Sequence, residues 1–230
     1  MSVEALMLAC LAVPLTGAVF IALLGNAPNL RETVTLCTAG LLFLFVSHLV
    51  PTVASGFRPS ITLIEMVPGL SITLTIEPLG MIFACVASVL WIVTSIYAIG
   101  YMRGHHEINQ TRFYFFFAVS IAAAIGVAFA GNMITLFIFY EVLTLCTFPL
   151  VTHHGTEETK KAGRLYLGIL IGTSIGFQFF AIVWTYALTG TLDFTEGGIL
   201  GGKAEGPTLT ILLLLFMFGV GKAALMPFHR

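Results

Sequence analysis

The sequence predicts an all-α polytopic membrane protein with about seven transmembrane helices and one small β-hairpin. Of its 230 residues, 58% are hydrophobic and only 9% are charged, and the mean hydropathy is +1.01. A soluble domain of this size could not cover its surface with so few charges. The formal net charge of −1 excludes the basic surface that nucleic-acid binding requires.

The transmembrane helices are predicted from apolar stretches, because a helix needs about 20 apolar residues to cross the hydrocarbon core. The first stretch has no basic residue before it and no evident cleavage site, so it is predicted to be retained rather than removed as a signal peptide. Together the stretches form one transmembrane domain over 1–230. The predicted spans are 4–25, 33–55, 78–101, 112–130, 132–152, 163–190 and 208–230.

The orientation follows from the basic residues in the loops. The loops after odd-numbered spans contain Arg31, Arg103, Arg112, Lys160, Lys161 and Arg164, whereas the loops after even-numbered spans contain Arg58 and Lys203. By the positive-inside rule, the N-terminus lies outside, and the loops 103–112 and 153–164 lie in the cytoplasm.

Residues 61–77 differ from the spans because they combine two β-prone runs with a turn at Pro68-Gly69. The second run alternates hydroxyl and aliphatic side chains, which is the period of a half-buried strand. The pattern predicts a hairpin on the outer face, capping the helices, since a sheet edge is not tolerated in lipid.

The sixth span contains a repeat of small residues. Gly168, Gly172 and Gly176 recur every four residues and share one helix face. Such a stripe predicts close packing against another helix, with a functional hinge as the alternative.

Glu141 is an ionisable residue in the middle of the fifth span. A charged group at this depth costs about 2.5–3.5 kcal/mol, so it usually has a function and a partner. Thr144 lies on the same helix face and is predicted to hydrogen-bond with the carboxyl group or to hold water. The alternative is a structural carboxyl group that is protonated and bonded to a neighbour.

Lys222 is the corresponding ionisable residue of the seventh span. Gly219 and Gly221 precede it, and Pro227 follows it, so the helix is predicted to break close to the lysine. Broken helices at bilayer depth line polar cavities and ion sites in transporters. His229 is a candidate relay residue, and a lysine that snorkels to the surface is the alternative.

Together Glu141 and Lys222 predict a proton switch. Burial favours the neutral form of each side chain, whereas pairing favours both charged forms, so protonation depends on whether the partner is near. The histidine doublets at 105–106 and 153–154 are predicted to be solvated in loops. The four cysteines have no metal-binding or disulfide spacing, and no metal or cofactor is expected.

Four segments carry a resemblance to a known family: EPLGMIFACVASVLWIVTSIYAIGYM, FIFYEVLTLCTFPLVTH, KKAGRLYL and GKAALMPFHR. In this order they resemble the antiporter-like membrane subunits of the complex I superfamily, and within it the D-type subunits of Mrp-type cation/proton antiporters. The resemblance implies two inverted five-helix repeats and a proton half-channel that uses Glu141 and Lys222. Members run to about twice this length, so the second half is expected to lie outside this sequence, as part of a longer chain or as a separate one.

Three functions follow from these observations. The first is a proton-translocating subunit of a multisubunit monovalent cation/proton antiporter, with other membrane subunits as partners, in a prokaryotic cytoplasmic membrane. The second is the proton-pumping subunit of a redox-driven complex, such as an NADH:quinone oxidoreductase or a membrane-bound hydrogenase, whose redox groups lie in partner subunits. The third is a scaffold that does not transport.

Overall fold

A computed structural model describes residues 1–220. The predictions for Gly221, Lys222, Pro227 and His229 therefore lie outside the described residues. Within 1–220 the chain is mostly helical, with one two-stranded sheet. The predicted class, an all-α membrane protein with a small hairpin, is confirmed.

Six helical segments of the described part are long and apolar enough to cross a membrane. The sixth of them is continuous from α6 through a π-helical turn into α7, and the shorter α8 follows it. The helices are α1 Val3–Leu23, α2 Pro28–Ala54, α3 Pro78–Gly104, α4 Gln110–Ala128, α5 Met133–Val151, α6 Glu157–Thr173, the π-helix Ser174–Phe179, α7 Phe180–Thr189 and α8 Gly206–Gly219.

Two helices begin earlier than the hydropathy pattern indicates. The second begins at Pro28 instead of residue 33, and the sixth begins at Glu157 instead of residue 163. Proline favours the first helical position, where its missing N–H is not needed. The Thr156 hydroxyl accepts a hydrogen bond from the Thr159 N–H, which caps α6 before its apolar part begins.

The hairpin consists of β1 Ser60–Val67 and β2 Leu70–Thr75, paired antiparallel. Val67 pairs with Leu70 across the predicted turn, in which Gly69 has a φ of +81°. Leu74 is fully buried, in agreement with the predicted alternation. The isolated bridge 74–130 joins the hairpin to the loop after α4, and the bridge 132–193 joins that loop to the loop after α7. We call this side of the molecule the hairpin end.

The main core lies between α1, α2, α3 and α4, beneath the hairpin. Its fully buried side chains include Met7, Leu42 and Ile125, with Trp91 almost fully buried. Close approach between α3 and α4 depends on Gly80, where a Cβ atom would collide with the Ala128 carbonyl oxygen. This contact fixes α4, and through it α5, relative to the first three helices.

The opposite side of the bundle, which we call the arginine end, is tied together by a buried ion network. Glu32, at the start of α2, is only 5% exposed and forms ion pairs with Arg31 and with Arg103 at the end of α3. Arg31 donates hydrogen bonds to Gln110 and Thr111 at the start of α4, at 2.9 Å and 3.0 Å. The charges are therefore paired and bonded, as burial requires.

Replacing Gly80 with alanine is expected to lower the free energy of unfolding by about 1–3 kcal/mol, because the added methyl group overpacks the contact with the α4 backbone. Gly100→Ala is the matched control in the same helix, since no atom lies within 4 Å of its Cβ position. The Gly100→Ala substitution should leave the free energy of unfolding unchanged or raise it by up to about 1 kcal/mol. Thermal unfolding of both variants in detergent measures the difference, and equal midpoints would contradict the packing.

Candidate functional site

The start of α5 is fixed to the hairpin by Asn132, which is 1% exposed. Its side-chain oxygen accepts a hydrogen bond from the Thr135 N–H at 2.9 Å, and its side-chain nitrogen donates to the Ser71 carbonyl at 2.7 Å. The Thr135 hydroxyl in turn accepts from the Thr73 N–H at 3.0 Å. A capped helix start with two hydrogen bonds to the hairpin sets both the position and the rotation of α5.

Glu141 lies near the middle of α5, about 12 Å along the helix from its first residue. It shares a face with Phe137, one turn earlier, and Phe137 packs against the Phe179 ring of the π-helix at 5.3 Å. The face of α5 that carries Glu141 therefore continues the surface that packs against the sixth transmembrane segment.

The Glu141 side chain is partly buried, and its Oε1 atom is buried without a hydrogen-bond partner among residues 1–220. A buried carboxyl oxygen without a partner costs free energy, whatever the protonation state of the group. Such an atom calls for a water molecule or for a donor outside the described part of the chain.

Thr144 is fully buried and lies one turn beyond Glu141. Its hydroxyl donates to the Tyr140 carbonyl at 3.0 Å. The hydroxyl proton is therefore used within the helix, and only the lone pairs of the oxygen remain to accept a bond from a protonated carboxyl group or from water. The role of Thr144 as a relay residue stays a prediction.

A feature that the sequence analysis missed is the π-helix at Ser174–Phe179, in the middle of the sixth segment. π-Helical turns are rare and occur often at functional sites. Gln178, within this turn, is 6% exposed, and its Oε1 atom is buried without a partner in the described part of the chain. The available signal was a single amide side chain inside the apolar stretch IGFQFF.

Gln178 also marks the closest approach of α8. A Cβ atom on Gly219 would lie 2.5 Å from the Gln178 Cβ and 2.6 Å from its backbone nitrogen, so only glycine fits there. Gln178 and Phe216 line a cavity of about 260 Å³ together with Met133 and Leu136 of α5. The cavity lies where α5, the π-helix and α8 meet.

The seventh transmembrane segment is short where the structure describes it. α8 has 14 residues and a length of about 21 Å, which is less than the hydrocarbon thickness of about 30 Å. It ends at Gly219, and Val220 has non-helical backbone angles of −84° and 61°. The described helix therefore ends three residues before Lys222, and the predicted break near Pro227 lies outside the described residues. Gly219 allows this end because glycine is a poor helix former.

The glycine stripe of the sixth segment has no neighbour in the described structure. Nothing lies within 4 Å of the Cβ positions of Gly168, Gly172 and Gly176. The close helix contact of this region is at Gly219 instead. Packing at the stripe remains a prediction about a helix outside residues 1–220.

At the arginine end, the structure corrects the prediction that both histidines of the second doublet are solvated. His154 is exposed, but His153 is only 9% exposed, because it lies beneath Arg112 and Phe113 at the start of α4. Arg112 donates to the His153 carbonyl at 2.7 Å. The packing follows from tertiary structure, since neither histidine is distinguished by its sequence position.

The pKa of His153 is lowered from its ordinary value of 6.5, first by burial and then by the positive charge of Arg112. Glu107 and the Ile108 backbone act in the opposite direction, and His154 lowers the pKa further. The imidazole is therefore stabilised in its neutral form just beyond the end of α5.

Comparison with known proteins identifies the domain. Residues 130–230, from the start of α5 through Lys222, match the family described as NADH:quinone oxidoreductase/Mrp antiporter, transmembrane. This part of the chain is therefore similar to that family. The match contains Glu141 and the π-helix, and it confirms the resemblance to antiporter-like membrane subunits. The protein is an integral membrane protein.

Two curated relatives are similar to most of the chain. NADH-quinone oxidoreductase subunit N of Desulforudis audaxviator is 27% identical over 165 residues, which are 70% of this chain and 32% of that protein. A probable K(+)/H(+) antiporter A/B subunit of Rhizobium meliloti is 27% identical over 196 residues, which are 81% of this chain and 19% of that protein. The chain thus spans a third or less of these relatives.

A solved structure shows the same fold. The Mrp complex from Dietzia sp. contains a chain that matches with a TM-score of 0.82 at 22% identity, over 100% of this chain and 42% of that chain. The hairpin, the capped α5 and the bent sixth segment therefore belong to a known membrane architecture.

His153 gives this chain a testable pH dependence. Because folding lowers the pKa of His153, its contribution to stability is complete above about pH 6.5 and is lost as the pH falls through the folded value. The unfolding midpoint in detergent should therefore drop less between about pH 7.5 and 5.5 in His153→Gln than in the wild type. His105→Gln, at an exposed position, is the control, and an unchanged pH dependence in His153→Gln would argue against the buried site.

Proposed function

We propose that this chain is the proton-translocating part of a membrane subunit in a multisubunit monovalent cation/proton antiporter. The observation that carries the proposal is Glu141, a carboxyl group in the middle of an apolar helix whose buried Oε1 has no partner among residues 1–220. In a helix with only a structural role, an apolar residue would be favoured at this position, because burying a carboxyl group costs free energy.

The surroundings of Glu141 support a role in proton transfer. Its helix face leads to the π-helix, where the Gln178 oxygen is also buried without a partner in the described region. Two polar groups with unused hydrogen-bonding capacity suit a path that water molecules complete. We propose that Glu141 accepts and releases the proton and that Gln178 orders water in the same polar region.

We further propose that Lys222 is the partner of Glu141. The described end of α8 supports this, because α8 stops at Gly219 and packs closely against Gln178 just before the lysine. A unit-charge pair at about 4 Å contributes about 4 kcal/mol at an effective dielectric constant of 20. A membrane potential supplies about 2.3 kcal/mol per charge for each 100 mV. The free energy needed to separate the pair is therefore comparable with the energy that drives transport.

The rest of the transport unit would come from elsewhere. The chain covers 42% of the matching chain in the Mrp complex. We propose that a second half, in a longer chain or in a separate subunit, completes the path, and that its helices cover the open face at Gly168, Gly172 and Gly176. Further membrane subunits would supply the cation pathway. The prokaryotic cytoplasmic membrane, with the hairpin end outside, is the proposed location.

Removing the carboxyl group of Glu141 or the ammonium group of Lys222 is expected to stop transport. In vesicles containing the complete complex, Glu141→Gln and Lys222→Met should each reduce cation-driven pH change about tenfold or more, because proton transfer loses its acceptor or its switch. A fluorescent pH indicator measures the rate. Glu158→Gln, at the exposed first turn of α6, is the control and should retain wild-type exchange.

The double variant tests the pairing itself. If Glu141 and Lys222 act as one unit, the double variant should lose no more activity than the more impaired single variant. Losses that multiply would show independent roles. Full exchange in both single variants, with normal assembly, would leave only the scaffold interpretation.

A second candidate is the proton-pumping subunit of a redox-driven complex, and the similarity to NADH-quinone oxidoreductase subunit N favours it. The same proton path would then be driven by electron transfer in partner subunits. Purification of the complex from native membranes separates the two. The antiporter proposal predicts membrane subunits without bound iron, whereas stoichiometric iron–sulfur subunits in the purified complex would establish the redox-driven function.

A further inference from the structure

A groove between α2 and α3 at the hairpin end has the features of a lipid site. Its volume is about 490 Å³, and the last turn of α2 and the first turns of α3 line it. Val50, Val53, Ile82 and Val86 supply apolar walls. Ile82 and Val86 are 63% and 52% exposed, so the groove opens on the outer surface of the bundle. An exposed apolar groove of this size can hold an acyl chain.

The mouth of the groove carries a pair of opposite charges. Arg58, which lines the groove, forms an ion pair with Glu77 at 3.2 Å between Nε and Oε2. Its Nη1 donates to the carbonyls of Val53 and Phe57, at 3.0 Å and 3.2 Å. These bonds hold the guanidinium at the end of α2. Within residues 1–220, Arg58 makes its ion pair through Nε and its backbone hydrogen bonds through Nη1. Both charged side chains remain partly exposed, at 37% and 59%.

A polar hollow lies on the other side of this ion pair. Its volume is about 360 Å³, and Glu77 lines it together with hairpin hydroxyls that include Ser60, Thr73 and Thr75. An apolar groove thus adjoins a hydroxyl-rich hollow, with the Arg58–Glu77 ion pair at the boundary and a second carboxylate, Asp193, in the lining of the hollow. Arg58 and Glu77 follow the end of α2 and precede the start of α3, which places them at the depth of lipid headgroups.

We propose that this composite site binds one phospholipid with a zwitterionic, amine-bearing headgroup, of the phosphatidylethanolamine class. One acyl chain lies in the α2–α3 groove, the phosphate contacts Arg58, and the ammonium group contacts Glu77 and the hydroxyls of the polar hollow. The site selects against anionic lipids, because the carboxylates of Glu77 and Asp193 repel a headgroup that has a phosphate and no amine. The lipid would fill the space between the hairpin and the first helices.

Lipid retention on the purified full chain, with any subunits that accompany it, tests the proposal. After delipidation, the protein is incubated with phosphatidylethanolamine or phosphatidylglycerol of identical acyl chains, and native mass spectrometry counts the bound lipids. We expect one tightly retained phosphatidylethanolamine per chain, at concentrations where phosphatidylglycerol is retained about fivefold less.

Three variants separate the two parts of the site. Val86→Trp fills the groove and should abolish retention, whereas Val93→Trp, at an exposed position of α3 outside the groove, should leave it unchanged. Glu77→Gln removes one repelling carboxylate and should shift the preference toward phosphatidylglycerol by about fivefold. A purely structural ion pair would not change lipid preference.

Several results would overturn the proposal. Equal retention of the two lipids by the wild type would exclude headgroup selection, and unchanged retention in Val86→Trp would exclude the groove. Cross-linking of position 86 to another subunit in the native complex, in place of lipid, would assign the groove to a protein interface.

Discussion

The arrangement of the site depends on the two hydrogen bonds of the Asn132 side-chain amide. One side-chain amide caps α5 and also bonds to the Ser71 carbonyl of the hairpin. The loop after α4 is in turn joined to the hairpin by the 74–130 bridge and to the loop after α7 by the 132–193 bridge. Because a capped helix cannot rotate without breaking these bonds, the cap sets the direction in which Glu141, more than two turns away, faces.

The structure contains two kinds of buried ionisable group, and they differ in how they are satisfied. At the arginine end, both carboxylate oxygens of Glu32 are engaged by Arg31 and Arg103. A network of this kind holds helices together and leaves little freedom to change protonation. Glu141 has an orphaned oxygen among residues 1–220 and lies one turn after Phe137, which contacts the π-helix. The presence or absence of hydrogen-bond partners therefore distinguishes the structural ion network from the candidate functional group, whereas burial alone does not.

Irregular backbone is concentrated around the candidate site. The π-helical turn carries Gln178, α8 ends at Gly219, and these two residues are in van der Waals contact. In a membrane, interrupted helices are tolerated only where protein or water satisfies the freed backbone groups. The π-helix and the described end of α8 therefore lie next to each other, and the π-helix also contacts α5 at Phe137.

The sequence by itself determined the membrane class, the hairpin and the isolation of Glu141, because each depends on local composition or on short-range periodicity. It also predicts a helix break near Pro227, which lies outside the described residues. Only the tertiary structure decided the burial of His153, the pairing of Glu32 and the position of Gln178 against α8. Those properties depend on which distant helices meet, and the pattern within a single segment carries no information about its neighbours.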